Sequence, residues 1–314
     1  MKRWISILFA LLFLGAFGCK AEEASSGVDF VCDTVVTLNA YASQQTVDDA
    51  IRLMRDYGRV LSKTVEGSDV WKLNHAEGQP VEVNPETAEL LLLAIEIAER
   101  SNGAFDVTIA PLSNLWDFKA QSPKLPDPDA LAEAAARVDY RNIRIEGNTV
   151  TLNNGAEIDL GGIAKGYIAD RVAAFLKERG VRHACINMGG NILVFGGKPD
   201  GSEWTIGVRD PFGTAADAEE VLSLPDGAVV TSGSYERGFD LDGVRYHHIL
   251  DPKTGMPIQN GLVSVTILCD KSATADALST ACFVLGPDDS RELLSAYSAS
   301  AIFLYSDGTR IAIP

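Results

Sequence analysis

Residues 159–167 read Asp-Leu-Gly-Gly-Ile-Ala-Lys-Gly-Tyr, and this stretch decides the fold. An apolar, strand-like run that begins near Val150 leads into the glycine pair. From Ile168 onward apolar residues recur at helical spacing until Gly180, which is placed as a C-cap. We therefore predict a strand, a glycine turn and a long helix in direct succession.

The glycine pair and the start of this helix form a candidate anion site. Gly161 and Gly162 allow the backbone to approach a ligand closely, and the first helical turn offers N–H groups, the positive dipole end and the ammonium of Lys165. A phosphate group fits such a corner. An ordinary strand-to-helix turn with packing glycines is the alternative, and this stretch alone leaves both open. The spacing matches neither the Walker A loop nor the Gly-x-Gly-x-x-Gly dinucleotide motif.

The N-terminus is typical of an export signal. Lys2 and Arg3 precede an apolar run that ends at Phe17, and Gly18 and Cys19 follow. A basic start and a short apolar run predict a secretory signal, and a small residue before a cysteine predicts lipoprotein cleavage. We expect Cys19 to carry the lipid and to anchor the protein at a membrane, facing the periplasm or the cell exterior. A plain signal peptide that is cut nearby is the alternative.

The chain is predicted to divide into a signal over residues 1–18, a tether over 19–28 and a folded part over 29–314, as one large domain or two intertwined lobes. Its formal charge of −16 becomes −18 when the two basic residues of the signal are removed. Such an acidic surface argues against nucleic acid as a partner. The four cysteines beyond Cys19 show no C-x-x-C spacing, which argues against a zinc site.

Hydrophobic periodicity predicts helices mixed with hairpin-forming strands. Helices are predicted over residues 46–62, 84–101, 129–138, 275–283 and 288–298. Strands are predicted over 34–41, 143–145, 149–152, 183–187, 204–208, 228–231, 239–241, 246–250, 262–269, 301–305 and 310–313. A further strand is predicted to follow the turn at 188–191 and to end at Phe195. This mixture favours an α+β fold with mixed or antiparallel sheets over a doubly wound parallel sheet.

Two further groups of residues are candidates for chemistry. Asp276 and Thr280 lie one turn apart on the helix predicted near 275, and their oxygens suit a hard cation such as Mg²⁺. A dipole partner and a local back-bond are the ordinary alternative for this pair. His247 and His248 end a predicted strand, where either one suits a proton relay or a structural hydrogen bond. No nucleophile elbow and no His-Glu-x-x-His motif occurs in the sequence, which excludes the corresponding hydrolase and protease classes.

These pieces occur together in the order and approximate spacing of one family, and the chain resembles the ApbE-like FAD:protein FMN transferases over almost all of its mature length. The pieces are residues 103–106, 159–167, 187–191, 230–235, 246–255 and 274–281. The resemblance implies an exported, lipid-anchored enzyme with an α+β fold related to the T-fold. It also implies Mg²⁺-dependent transfer of FMN from FAD to a threonine of a partner redox protein, with release of AMP.

The resemblance further implies roles for individual residues. The metal is expected at the main-chain oxygen of Ala164 and the side chains of Asp276 and Thr280. His248 is the candidate proton acceptor, with a metal-linked carboxylate as the alternative, and His248 and Asp276 are the expected catalytic residues. FAD is expected to contact Ala104, Phe105, Asp106, Gly161, Tyr167 and Leu250. We add Lys165 and Ser232 to the FAD contacts on electrostatic and hydrogen-bonding grounds.

The chain departs from the family pattern at two positions. Cys32-Asp33-Thr34 replaces a Met-Gly-Thr sequence, and Thr64 stands in place of an aromatic residue. Two other functions are therefore weighed: an FAD pyrophosphatase, in which water replaces the threonine, and a non-catalytic FAD-binding lipoprotein. The Asp276 and Thr280 pair favours catalysis, because storage of FAD needs no metal over the diphosphate.

Overall fold

The computed structural model describes residues 24–118, 123–213 and 218–314, and within these ranges the fold is α+β, as predicted. The strands are β1 (Ala24–Val31), β2 (Thr34–Tyr41), β3 (Val81–Glu82), β4 (Ile143–Glu146), β5 (Thr149–Leu152), β6 (Ala184–Met188), β7 (Asn191–Phe195), β8 (Trp204–Arg209), β9 (Ala218–Leu224), β10 (Gly227–Gly233), β11 (Gly238–Leu241), β12 (Val244–His247), β13 (Leu262–Cys269), β14 (Ser300–Tyr305) and β15 (Arg310–Ile313). The helices are α1 (Gln44–Val60), α2 (Asp69–Asn74), α3 (Pro85–Arg100), α4 (Ala110–Ser113), α5 (Pro128–Ala135), α6 (Ala164–Glu178), α7 (Ser272–Asp289) and α8 (Arg291–Ala296).

An antiparallel sheet of eight strands, in the order β1-β2-β6-β7-β10-β13-β14-β15, forms the framework. Helices α1, α6 and α7 pack against it. In α1 the apolar residues Val47, Ala50, Ile51 and Met54 are buried, because they recur on one face of the helix. Burial of each large side chain of this kind stabilises the fold by about 1.5–3 kcal/mol. The core between the helices and the sheet therefore fixes α6 and α7 next to each other.

Smaller sheets surround this framework, in the orders β3-β5-β4, β8-β9 and β11-β12. The β11-β12 hairpin stacks Phe239 and Tyr246 beside the Trp116 ring, and the Trp116 Nε1–H donates to the carbonyl of Gly255 at 2.8 Å. These aromatic contacts hold the turn that follows β12, which carries His248.

Three sequence-based boundaries were wrong. The segment predicted as a tether enters the sheet at Ala24, because β1 pairs with β2 along its whole length. The strand predicted to reach the glycine pair ends at Leu152. Ile158 is buried without strand pairing, since the amide group of Asn74 hydrogen-bonds both its N–H and its C=O at 2.7 and 2.9 Å. Strand β12 ends at His247, so residues 248–250 lie beyond the strand, and Leu250 forms an isolated antiparallel bridge with Pro257.

The predicted lipid site, Cys19, lies outside the described residues. In the part of the chain that the structure describes, no helix combines the length and the apolar character that crossing a bilayer requires.

Candidate active site

Helices α6 and α7 approach each other until their backbones touch. A Cβ atom on Gly166 would lie 2.2 Å from the carbonyl oxygen of Ser272, at the start of α7. Only glycine permits this approach, because backbone atoms at that distance cannot rotate away. The contact brings residues 159–167 against Asp276 and Thr280, which lie more than a hundred residues further along the chain.

Asp276 is the centre of this contact and is only 4% exposed. Its Oδ2 atom accepts the N–H of Gly166 at 3.0 Å, and its Oδ1 atom lies 3.2 Å from the Nζ atom of Lys165. The same ammonium donates to the carbonyl oxygen of Gly161 at 3.2 Å. The buried carboxylate is thus compensated by one cation and one backbone donor.

These contacts correct the predicted anion corner. The N–H of Gly161 donates to Asp159 at 2.9 Å, that of Ala164 to the carbonyl of Leu160 at 2.8 Å, and that of Gly166 to Asp276. These three donors already have acceptors within the protein. A phosphate group bound here would meet Lys165 and a cation held by Asp276, rather than a row of free N–H groups.

Hydroxyl groups surround Thr280. The Ser279 hydroxyl donates to the main-chain oxygen of Asp276 at 2.7 Å, so the Ser232 hydroxyl is the donor in its 2.7 Å contact with Ser279. The Oγ atoms of Ser232 and Thr280 are 3.5 Å apart. A Cβ atom on Gly162 would lie 3.5 Å from Thr280 Oγ1, which places the glycine pair against this hydroxyl. Ser232 on β10 therefore orients the oxygen-bearing face of α7.

The donor set suits a hard divalent cation. A carboxylate of Asp276, a hydroxyl of Thr280 and a main-chain carbonyl at Ala164 are oxygen ligands, which Mg²⁺ prefers to sulfur or imidazole. The described residues contain no cluster of three or more His, Cys, Asp or Glu side chains that could hold a metal. The predicted set has a single carboxylate, so it belongs to the class of sites in which substrate oxygens and water complete the coordination.

The two adjacent histidines have different roles. His247 is buried, and its Nε2–H donates to the carbonyl of Ile258 at 2.8 Å while its Nδ1 atom accepts the N–H of Ile249. His247 is therefore structural. His248 Nδ1 lies 3.3 Å from the carbonyl oxygen of Arg237, which can only accept, so the proton is on Nδ1 and Nε2 keeps a free lone pair.

His248 is neutral at physiological pH. Burial lowers the pKa of His248 to about 4, and the positive charges of Arg237 and Lys165 act in the same direction. A neutral imidazole with an open Nε2 can accept a proton.

A half-buried ion pair supports the glycine turn from the other side. The Nζ atom of Lys63 lies 2.9 Å from Asp159 Oδ2, and the N–H of Gly161 donates to Asp159 Oδ1 at 2.9 Å. Burial raises the pKa of Asp159, but the ammonium of Lys63 and the hydrogen bonds outweigh it and leave the pKa below its usual range. The carboxylate thus stays ionised and fixes the turn.

Of the predicted FAD contacts, Ala104 and Phe105 lie at the edge of the site. Ala104 lines a cleft of about 250 Å³ together with Asp251 and Lys253. The ring of Phe105 lies 3.3 Å from the position of a Cβ atom on Gly162, so the glycine leaves room for it. The structure therefore brings Ala104, Phe105 and the glycine turn to one side of the α6–α7 contact.

The carboxylate and hydroxyl groups of two other predicted contacts are already engaged within the protein. Asp106 accepts hydrogen bonds from the N–H and the hydroxyl of Thr108 and from the N–H of Tyr140, and burial raises its pKa. The Tyr167 hydroxyl donates to Glu89 at 3.2 Å, and burial together with Glu89 raises its pKa. These two side chains are buried and hold their loop and helix in place.

The Leu250 side chain is buried in a small apolar cluster around Trp116, Leu112 and Leu131. Only its backbone is left to meet a ligand.

Sequence reasoning missed Lys63 and Asp170, which fix the glycine turn and the start of α7. Asp170 lies one turn after Gly166 on α6, a spacing that indicates a shared face, but the sequence does not name the partner 102 residues away.

Known proteins share this fold and these motifs. A model of the ApbE family matches residues 32–303. The FAD:protein FMN transferase of Treponema pallidum (strain Nichols) is 36% identical over 329 residues, which cover 96% of this chain and 91% of that protein. The FAD:protein FMN transferase of Vibrio cholerae serotype O1 is 34% identical over 301 residues, with 92% and 89% covered.

Solved structures agree with these sequence matches. The crystal structure of the ApbE protein from Thermotoga maritima is similar with a TM-score of 0.83 and 36% identity, and the match covers 92% of this chain and 96% of that chain. The apo form of the flavinyl transferase ApbE from Pseudomonas stutzeri is similar with a TM-score of 0.82 and 28% identity, covering 93% and 94%.

Proposed function

The chain belongs to the ApbE family, and from this premise we propose that it transfers FMN from FAD to the hydroxyl group of a threonine in a partner protein and releases AMP, with Mg²⁺ as the metal. It is an enzyme of the FAD:protein FMN transferase class, the name that its relatives at 34–36% identity carry. A redox protein is the proposed acceptor.

One observation carries the finer proposal: the buried carboxylate of Asp276 and the half-buried hydroxyl of Thr280 meet the glycine turn and Lys165 at the α6–α7 contact. In a chain with a formal charge of −16, a diphosphate needs such a local concentration of positive charge. Ala164, Asp276 and Thr280 would hold Mg²⁺ through oxygen atoms. Mg²⁺ held there supplies a positive charge that offsets the charge which develops on the diphosphate.

The side chains of the site have distinct tasks in this reaction. Lys165 binds a phosphate oxygen, and Ser232 orients Thr280 through Ser279. The Nε2 atom of neutral His248 accepts the proton of the threonine hydroxyl as its oxygen attacks the phosphorus atom of the FMN moiety. A new P–O bond forms to the threonine, the P–O bond to the adenylate breaks, and AMP leaves with the bridging oxygen.

Incubation of the purified protein with FAD, Mg²⁺ and a threonine-bearing redox protein tests this proposal. Mass spectrometry is expected to find one FMN group on the threonine, and chromatography an equal amount of AMP. Asp276→Asn is expected to lose most of the rate, while Asp270→Asn, an exposed carboxylate just before α7, retains it. Equal rates for Asp276→Asn and the wild type would refute the metal assignment.

The same experiment separates the two alternatives. An FAD pyrophosphatase releases free FMN and AMP without an acceptor at a rate close to that of transfer. A non-catalytic FAD-binding protein retains FAD and forms no AMP. Transfer that depends on the acceptor and on Mg²⁺ excludes both.

The site of action is a separate proposal. We propose export and a lipid anchor on Cys19, which holds the enzyme at a membrane near its acceptor. Cys19→Ala is expected to move the protein from the membrane pellet to the soluble fraction, and an unchanged distribution would contradict the anchor.

A further inference from the structure

We infer that Asp170 is a positioning residue for the cation site: from α6 it holds the first turn of α7 in the place where Asp276 meets the first turn of α6 and Thr280 meets the glycine turn. The inference rests on the proposed function and assigns a role to a residue that touches neither the cation nor FAD. Asp170 Oδ1 accepts the N–H of Ser272 at 3.0 Å, and Oδ2 accepts the N–H of Ala273 at 2.9 Å.

Helix α7 cannot cap itself. The first N–H groups of a helix have no partner within it, and a Ser, Thr, Asp or Asn side chain at the N-cap normally accepts one. Here the N-cap residue is Lys271, which makes no side-chain hydrogen bond to the helix. Asp170 on the neighbouring helix takes over this function for two N–H groups, and its charge favours the positive end of the α7 dipole.

Helix α6 has the complementary defect. Its N-cap residue, Ile163, has no polar side chain and makes no capping hydrogen bond. Asp276 accepts the N–H of Gly166 in the first turn of α6. Each helix therefore receives from the other the acceptor that its own N-cap residue lacks, and the two carboxylates form a reciprocal cap.

The reciprocal cap links Asp170 to the cation ligands through a rigid path. Asp276 follows Ser272 by four residues, so the N–H that Asp170 holds and the Asp276 carboxylate lie one helical turn apart. Because Gly166 lets the backbones touch, loss of the Asp170 contacts leaves a single capping bond between the two helix starts. The Asp276 and Thr280 oxygens then lose their fixed position relative to the glycine turn and the first turn of α6.

Direct cation binding tests this inference without reliance on turnover. Mn²⁺ is titrated into the full-length wild-type protein and into the Asp170→Asn and Asp170→Ala variants. ADP is present in every titration, because it carries a diphosphate but no flavin. Free Mn²⁺ is measured by electron paramagnetic resonance. Loss of groups that orient metal ligands typically costs 10–100-fold in metal affinity, and we expect about a tenfold rise in the Mn²⁺ dissociation constant for Asp170→Ala. Asp170→Asn, which keeps one acceptor oxygen, is expected to show a smaller rise.

Asp69→Asn is the matched control. Asp69 is a buried carboxylate that likewise accepts an N–H at the start of another helix, from Asn84 at 2.7 Å before α3. The Asp69→Asn variant is expected to lower the melting temperature about as much as Asp170→Asn does. Its Mn²⁺ dissociation constant is expected to equal that of the wild type. All variants are compared well below their melting temperatures, with the folded fraction checked by circular dichroism.

The outcomes separate the inference from the proposed function. The positioning role would be overturned if Asp170→Ala bound Mn²⁺ with the wild-type dissociation constant. It would also be overturned if the Mn²⁺ dissociation constant of Asp69→Asn rose as much as that of Asp170→Ala. Should Asp170→Ala fail to fold, the result for Asp170→Asn decides on the same criterion. A wild-type protein that neither binds Mn²⁺ nor transfers FMN would remove the proposed function, and this inference with it, whatever the variants do.

Discussion

Replacement of Gly166 by alanine is the sharpest perturbation of the α6–α7 contact. The new Cβ atom would lie 2.2 Å from the carbonyl oxygen and 2.5 Å from the carbonyl carbon of Ser272. To restore an ordinary contact of about 3.4 Å, the two backbones must separate by about 1 Å. The hydrogen bonds of Asp170 to α7 and of Asp276 to α6, at 2.9–3.0 Å, then lengthen by a similar distance.

The magnitude of the effect follows from these contacts. Overpacking costs about 1–3 kcal/mol. The weakened hydrogen bonds to charged groups cost about 1.5–3 kcal/mol more. The higher helix propensity of alanine offsets about 1 kcal/mol of this destabilisation. We expect Gly166→Ala to lower the free energy of unfolding by about 1.5–5 kcal/mol. The rate of FMN transfer is expected to fall by about 100-fold, because an error of about 1 Å in a catalytic site has consequences of that size.

Urea denaturation at pH 7 and an FMN-transfer assay at saturating FAD and Mg²⁺ measure the two effects. Ala174→Gly is the control, since Ala174 is exposed on the same helix and its replacement costs about 1 kcal/mol of helix stability. This control is expected to keep the wild-type rate. If Gly166→Ala unfolds at the wild-type urea concentration and transfers FMN within threefold of the wild-type rate, the close approach of α6 and α7 is not what positions Asp276.

Three further outcomes are expected. The pKa of His248 is lowered to about 4, so the imidazole stays a base down to low pH, and the acid limb of the transfer rate lies near pH 4; a limb near 6.5 in a pH–rate profile would contradict this. Lys63→Met removes the ammonium that lowers the pKa of Asp159. The stabilisation by this half-buried pair is present at neutral pH and lost as the pH falls below about 4. Urea denaturation is therefore expected to show a free energy of unfolding that is lower than that of the wild type by about 1 kcal/mol at pH 7 and by less at pH 3. Lys165→Met removes the ammonium that competes with Mg²⁺ for the carboxylate of Asp276. In assays of FMN transfer, we therefore expect half-maximal activity at a lower Mg²⁺ concentration and a higher KM for FAD.

Local patterns in the sequence predicted the elements of the site well. The strand predicted over Leu262–Cys269 matches β13 at both ends. Its residues Ser264–Ile267 are all buried, so the strand is covered on both faces rather than on one. The spacing of Asp276 and Thr280 placed both on one face of a helix, since residues four apart are neighbours on any α-helix. Properties that depend on one element at a time can be read from such periodicities.

The contacts between elements could not be predicted in the same way. The segment before the glycine pair was predicted as a strand because it is apolar, but Asn74 satisfies the backbone of Ile158 from 84 residues away. The first turn of α6 was predicted to be open to a phosphate, but the acceptor of the Gly166 N–H is 110 residues further along the chain. A single sequence shows that these backbone groups need partners and does not show which partner tertiary packing supplies.

The N-cap residues explain why the site and the fold depend on each other. Ile163 and Lys271 leave the starts of α6 and α7 uncapped, and an uncapped start costs about 1 kcal/mol in an ordinary helix. The carboxylates that fill both gaps can do so only when the helices are packed together, so capping and packing form in one cooperative step. Asp276 contributes to this step and is also the proposed cation ligand, and its second oxygen faces Lys165 rather than a backbone donor. The fold therefore holds Asp276 through its Oδ2 atom and leaves the Oδ1 atom for chemistry. A substitution that breaks the hydrogen bond to Oδ2 must weaken helix capping and cation binding together.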